Sequence, residues 1–194
     1  MGRMLEPEQL LEEIIAVFQP NLLVGKSVMI TAGPTFEPID PVRGITNLSS
    51  GKMGYAIARA AREAGADVTL ISGPTALATP YGVQRINVQT AEQMHDVVMS
   101  RVAAQDIFIA VAAVADWRVA NVSAQKLKKD ASGQAPALAF EQNTDILAAV
   151  AALKKRPYCV GFAAESENLL EYGEAKRKKK NIPCLLYTSP SPRD

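Results

Sequence analysis

Short, unbroken apolar runs alternate along this chain with segments of helical periodicity, and that alternation restricts the fold more than any other feature. Residues 27–31 (SVMIT), 68–72 (VTLIS), 107–111 and 158–162 lack the in-and-out polarity of a half-exposed strand, as expected when both faces are covered. Residues 84–88 (QRINV) form a weaker run. Between these runs, residues 54–64 (GYAIARAAREA), 91–102, 145–153 and 169–180 carry helical spacing, and Thr90 with Gln93 makes a capping-box pattern at the start of the second. Parallel strands need crossover connections, and helices supply them. The sequence therefore reads as an α/β protein, a Rossmann-like three-layer α/β/α sandwich with a mainly parallel sheet. Ala56, Ala60, Ala61 and Ala64 would let the first of these helices lie close to that sheet.

Both ends depart from the pattern. Residues 4–18 place Leu10, Leu11, Ile14, Ile15 and Phe18 at helical spacing, and Pro20 and Gly25 close the segment. Residues 1–26 are read as the end of an upstream domain with a linker helix, and residues 27–183 as the α/β domain. The last residues, 184–194 (CLLYTSPSPRD), look like a sequencing adapter translated in frame and are expected to stand outside the fold. A sheet of this kind wants a further strand after Asn181, so the domain is expected to be truncated at its C-terminal side.

Composition narrows the function classes. A chain that is 48% hydrophobic and 21% charged is ordinary for a globular domain, and a net charge of +1 disfavours nucleic acid or a membrane surface as the main partner. No apolar run approaches the roughly 20 residues of a spanning helix. Cys159 and Cys184 have neither a disulfide framework nor metal-ligand spacing, which suits a reducing cytoplasm.

In such sheets ligands bind beyond the carboxyl ends of the strands. The first strand is followed by a Pro-rich loop over 33–47 and then by NLSSGKMG, residues 47–54. Its glycines and the helix start behind it suit an anion. The phosphate-loop template fails, because Lys52 is followed by Met53 and no glycine sits five residues before Gly51; G-x-G-x-x-G fails on spacing. The second strand ends Leu70-Ile71-Ser72-Gly73-Pro74 without the acid that would hold a ribose, which demotes a dinucleotide oxidoreductase. After the strand at 107–111 come Asp116 and Trp117, then Lys126, Lys128 and Lys129. Those lysines are either a solvated face or a mobile cover for a polyphosphate. Asp116 is either a loop cap or a ribose- or metal-side ligand. The basic run 176–180 complements a helix C-terminus, and His95 has no histidine or cysteine neighbour with which to bind metal.

The strings ITAGPTFEPIDPVRGITNLSSGKMGYAIA, VTLISGP, AAVADWR, KLKK and GFAAE resemble the phosphopantothenoylcysteine synthetase half of the bacterial bifunctional coenzyme A biosynthesis proteins. The opening GRMLEP resembles the end of the decarboxylase domain that precedes that half. FMN would belong to that absent domain only.

The resemblance implies a ligase that activates 4′-phosphopantothenate with CTP and Mg²⁺, forms an acyl-cytidylate, and joins it to L-cysteine. It implies a catalytic role for Asn47 on the acyl group and for Lys126 on a mobile flap, with Lys128 and Lys129 completing the flap motif. Ser49, Ser50, Gly51, Met53 and Gly54 match the phosphate-side loop. Ala112 and Ala113 match backbone beside the intermediate, and Asp116 the nucleotide-binding aspartate. Phe162, Lys176 and Lys180 match further CTP contacts. Asn143, Thr144, Asp145 and Ile146 match a segment whose backbone recognises cytosine and where relatives read N-P-D-I. Thr144 would cap the following helix where proline would begin it. The resemblance assigns no Mg²⁺ ligand in this sequence. It also implies a homodimer, and a higher oligomer for the full-length protein. Some relatives use ATP, and a nucleotide-binding domain without chemistry is the alternative from another class.

Overall fold

A six-stranded parallel sheet is the frame of the computed structural model, which describes residues 4–128, 136–164 and 169–188. The chain runs through α1 (Pro7–Phe18), β1 (Ser27–Ala32), β2 (Phe36–Asp40), β3 (Arg43–Thr46), α2 (Lys52–Glu63), β4 (Asp67–Ser72), β5 (Gln84–Asn87) and α3 (Ala91–Arg101). It continues through β6 (Ile107–Ala110), β7 (Trp117–Val119), β8 (Phe140–Gln142), α4 (Ile146–Ala151), β9 (Tyr158–Ala164), α5 (Leu169–Lys179) and β10 (Cys184–Thr188). The sheet order is β10-β9-β6-β1-β4-β5, with every neighbouring pair parallel. From β1 the chain moves outward to β4 and β5, then returns to β1's other side to lay down β6, β9 and β10. The reversal between β1 and β6 makes the doubly wound arrangement expected from the sequence.

The core explains why β1 has no polar alternation. Val28, Ile30 and Ala32 pack with Tyr55, Ala58 and Ala61 of α2, while Met29 packs on the opposite face with α3 and α4 residues such as Met94, Val98 and Val150. Both faces of the strand are therefore dry. The Thr90–Gln93 capping box is formed, with the Thr90 hydroxyl accepting from the Gln93 N–H at 3.2 Å.

The structure corrects several expectations. The face that α2 turns to the sheet is Gly54, Tyr55, Ala58 and Ala61; Ala56 and Ala60 are exposed. Gly54, Ala58 and Ala61 stand at i, i+4 and i+7, and the buried Tyr55 hydroxyl, 2.9 Å from Ser72 Oγ, anchors that face on the sheet. The Pro-rich stretch read as a loop contains the antiparallel hairpin β2–β3, whose register shifts between Pro38 and Asp40. Proline and alternating polar residues hid it. A second hairpin, β7–β8, joins segments far apart in sequence. Residues 184–188, expected to stand outside the fold, pair in parallel with β9, and Leu185 is buried. A short apolar run entering beside an open strand edge can satisfy its backbone there whatever its origin. Residues 189–194 lie outside the described residues. α1 forms as its periodicity predicts, but Leu11, Ile14, Val17 and Phe18 are exposed. It is held to α2 through ion pairs of Glu12 with Arg59 and Glu13 with Arg62.

Candidate active site at the sheet reversal

The loops leaving β1 and β6 meet where strand order reverses, the place at which doubly wound sheets bind their ligands in a crevice. Backbone bonds stitch its floor: Ala113 N–H donates to Gly33 O at 2.9 Å, and Thr35 N–H donates to Ala113 O at 3.2 Å. The Thr35 hydroxyl, fully buried, accepts from Ala115 N–H at 2.9 Å. The first loop then passes through the hairpin and returns as NLSSGKMG, bringing Asn47 against the second loop. Asn47 Nδ2 donates to Ala113 O at 3.0 Å.

Behind Asn47, Ser49 Oγ accepts from Gly51 N–H at 3.3 Å and Ser50 Oγ accepts from Lys52 N–H at 3.4 Å. Gly51 is the N-cap of α2, with φ +79°, a conformation that favours glycine. It carries no side chain to cap the helix, and Ser50 just before it supplies the acceptor for the first-turn N–H of Lys52 instead. Gly54 lies in that turn against β1, where a Cβ would stand 2.4 Å from the Cβ of Ala32. Met53 is half exposed.

Beyond the β6 loop lies a cavity of ≈ 280 Å³. Its walls include Ala112, Ala113, Asp116, Asn143, Thr144, Asp145, Ile146, Phe162, Lys176 and Lys180, ten residues singled out in the sequence from four separate segments. Asn143 joins two walls. Its backbone N–H donates to Asp116 O at 2.9 Å and its Nδ2 to Ala115 O at 2.8 Å, while Oδ1 accepts from Arg118 Nη1 at 3.0 Å. The cap of α4 is Asp145, not Thr144: Asp145 Oδ1 accepts from Ala148 N–H at 3.0 Å, and Thr144 stands one residue outside the helix. A proline at 144 would therefore not begin this helix either.

Lys180 Nζ lies 2.8 Å from Asp145 Oδ2. Burial pushes the Asp145 carboxyl up, but the Lys180 ammonium, the Ala148 N–H and the charge of Lys176 outweigh it and hold the group below its ordinary value. The pair leaves this wall nearly neutral, with Lys176 adding positive charge.

The flap lysines stand apart from the cavity. Lys126 and Lys128 are exposed, and Leu127 between them is bonded to the β2–β3 turn. Lys129 lies outside the described residues. Sequence reasoning missed Asp40, Arg43 and Arg118 as parts of the site's framework. An Asp-Pro-Val-Arg turn is a local signal for the first two, since an aspartate accepts from amides two and three residues on. Arg118 has no such signal, because its partner lies 25 residues away.

Residues 23–192 match the DNA/pantothenate metabolism flavoprotein C-terminal domain family. This chain belongs to that family. Within the flavoprotein C-terminal domain family it is 54% identical over 185 residues to the coenzyme A biosynthesis bifunctional protein CoaBC of Vibrio parahaemolyticus, covering 95% of this chain and 46% of that protein. It is 53% identical over 187 residues to CoaBC of Escherichia coli K12, again covering 95% and 46%. The chain thus spans about half the length of the curated relatives it matches. A crystal structure of the C-terminal domain of CoaBC superposes with a TM-score of 0.76 at 41% identity, covering 87% of this chain and 79% of that one.

Proposed function

We propose that this chain is the phosphopantothenate–cysteine ligase part of a bifunctional coenzyme A biosynthesis protein, acting through a cytidylate. The observation that carries the reading is the junction at Ala113: its carbonyl binds the Asn47 carboxamide, and the same residue lines the cavity. A nucleotide in the cavity and an acyl group at Asn47 would therefore be neighbours. That juxtaposition is what acyl-nucleotide chemistry needs.

In this reading CTP lies in the cavity, with its base against the 143–146 backbone and Phe162, and with Lys176 and Lys180 toward its charge. The 4′-phosphopantothenate carboxylate attacks the α-phosphorus; an O–P bond forms, the bridging O–P bond breaks and pyrophosphate leaves. The cysteine amine then attacks the acyl carbon, a C–N bond forms, the amine gives up its proton, and CMP departs with the bonding electrons. Asn47 donates to the acyl oxygen, and the first-turn amides of α2 with Ser49 and Ser50 hold phosphate. Lys126, and Lys128 and Lys129 beside it, offset charge during the first transfer.

Mg²⁺ would accompany the triphosphate. In this reading the ion is held mainly by phosphate, with Asp116 at the cavity edge. Bound there, the ion would draw charge from the phosphate oxygens. Residues 1–26 are assigned to the junction with an upstream decarboxylase domain that would carry FMN. Exposed Trp117 and Phe140 on the β7–β8 hairpin support a homodimer. No helix among the described residues is long and apolar enough to cross a membrane.

The test supplies CTP or ATP, Mg²⁺ and 4′-phosphopantothenate with and without cysteine. Pyrophosphate should appear without cysteine, and CMP only with it. Nucleotide binding without pyrophosphate release from either nucleotide would favour the non-catalytic alternative.

A further inference from the structure

Among the described residues Asp40 is the most heavily bonded buried charge outside the cavity, and the chemistry above makes no use of it. Its side chain is fully buried. Oδ1 accepts from Val42 N–H at 2.9 Å and Arg43 N–H at 3.0 Å, and Oδ2 accepts from Arg43 Nε at 3.0 Å. Turn formation explains those bonds. It does not explain the next one: Oδ2 also accepts from the backbone N–H of Leu127 at 3.1 Å, 87 residues along the chain. Arg43 Nη2 completes the grip by donating to Leu127 O at 2.9 Å. Both backbone groups of Leu127 are thus held by one ion pair.

Leu127 lies in a stretch without helix or strand, between Lys126 and Lys128. A lysine side chain is a flexible four-carbon stem, so where its ammonium can reach is set by where its backbone is held. Here the backbone is held twice, by the Leu127 grip and by Ser123 N–H donating to Ile39 O at 3.0 Å. The hairpin is in turn fixed to the start of α3: Phe36 N–H donates to Gln89 O at 2.8 Å, and buried Glu37 Oε1 accepts from Ala91 N–H, the first residue of α3, at 2.9 Å. A continuous path of bonds runs from α3 through the hairpin to the residue beside Lys126.

We propose that Asp40, with Arg43 as its partner, is a positioning residue that mounts the Lys126 segment on the β2–β3 turn and so sets the lysine's reach during the first, nucleotide-transferring step. This rests on the ligase reading above. The Arg43 guanidinium, aided by the Val42 and Leu127 amides and opposed by burial, holds the Asp40 carboxyl well below the usual carboxylate range, which favours the charged form that the mount uses. Asn47 needs no such mount, because its contact with Ala113 O is independent of Asp40.

The test is Asp40→Asn, which keeps the shape and removes the charge. Pyrophosphate release in the first turnover should slow by about 10²-fold, the loss that a misplacement of about 1 Å produces. In a Lys126→Gln background, where the lysine is already gone, Asp40→Asn should add no further loss. Full-rate release in Asp40→Asn, or a further loss in the double variant, overturns the proposal, and so does an equal loss in the cysteine-dependent step. A second readout is free of the ligase reading: amide exchange at Ser123 and Leu127 should quicken at least about tenfold in Asp40→Asn while β1 stays protected. Unchanged exchange there overturns the mount. If the wild type releases no pyrophosphate, the ligase reading falls and the exchange comparison still decides the mount. If Asp40→Asn does not fold, Arg43→Lys, which keeps the charge but not the fork that reaches both Asp40 and Leu127, carries the same measurements.

Discussion

Gly54→Ala sets two effects of opposite sign against each other at the most crowded point of the site. Alanine is the better helix former by about 0.8–1.0 kcal/mol, so on propensity alone the variant gains stability. Against that, the new Cβ would stand 2.4 Å from Ala32 Cβ, 3.1 Å from Ala32 Cα and 3.5 Å from Thr31 O. Carbon pairs rest near 3.5–4.0 Å, so α2 must withdraw from β1 by about 1 Å. The obstacle is a strand in the middle of the sheet, with Ala32 fully buried, and no side chain can swing aside. Overpacking costs about 1–3 kcal/mol, and a clash with a buried central strand belongs in the upper part of that range, about 2–3 kcal/mol, which leaves a net destabilisation of about 1–2 kcal/mol. For a chain of 194 residues the expected fall in Tm is about 2–8 °C. The withdrawal also carries the first-turn amides away from the crevice, and about 10²-fold in pyrophosphate release should go with it. Thermal melts with and without CTP, beside a first-turnover pyrophosphate assay, read both effects. A Tm equal to or above the wild type would show that propensity wins and that the α2–β1 approach does not set the phosphate site.

Three further outcomes follow from the same geometry. With Asn47→Ala the acyl-cytidylate should accumulate and cysteine-dependent CMP release should fall by about 10²-fold, as when a single oxyanion donor is lost; an absence of the intermediate would move Asn47 to the first step. Lys126→Gln should slow acyl-cytidylate formation by about 10²–10³-fold while CTP still raises the Tm, and a normal pyrophosphate burst would refute its charge-offsetting role. Lys180→Met removes the partner that depresses Asp145: the pair's stabilisation is complete above the ordinary aspartate value of 3.8 and disappears as pH falls through the lower folded-state value. Being half exposed at Asp145, the pair is worth less than about 1 kcal/mol. Denaturation of wild type and variant should therefore differ at pH 7 and converge in strong acid, and a gap that widens on acidification would reverse the assignment.

Much of this protein is written locally. The run SVMIT says that β1 is covered on both faces, and Met29 and Ile30 do pack on opposite sides. Thr90 and Gln93 announce the start of α3 through bonds that span three residues. The position of NLSSGKMG after the first strand puts it at the ligand edge of any parallel sheet, so the site's location could be read before its shape. Other features have no local signal. Whether residues 184–188 pair with β9 depends on an open edge that only the assembled sheet presents. The covered face of α2 is decided by what it meets on the sheet, with Ala32 against Gly54 and Ser72 bonded to Tyr55.

The site itself depends most on tertiary structure. Asn47 meets Ala113 across 66 residues, Asp40 meets Leu127 across 87, and Thr35 meets Ala115 across 80. Each meeting follows from the placement of β6 beside β1, which a periodic pattern cannot specify, because every strand in it looks equally able to be the neighbour. Periodicity and turn chemistry act over a few residues and settle which elements form. The order in which strands pair is settled by packing the whole chain, and that order turns separate polar loops into one crevice.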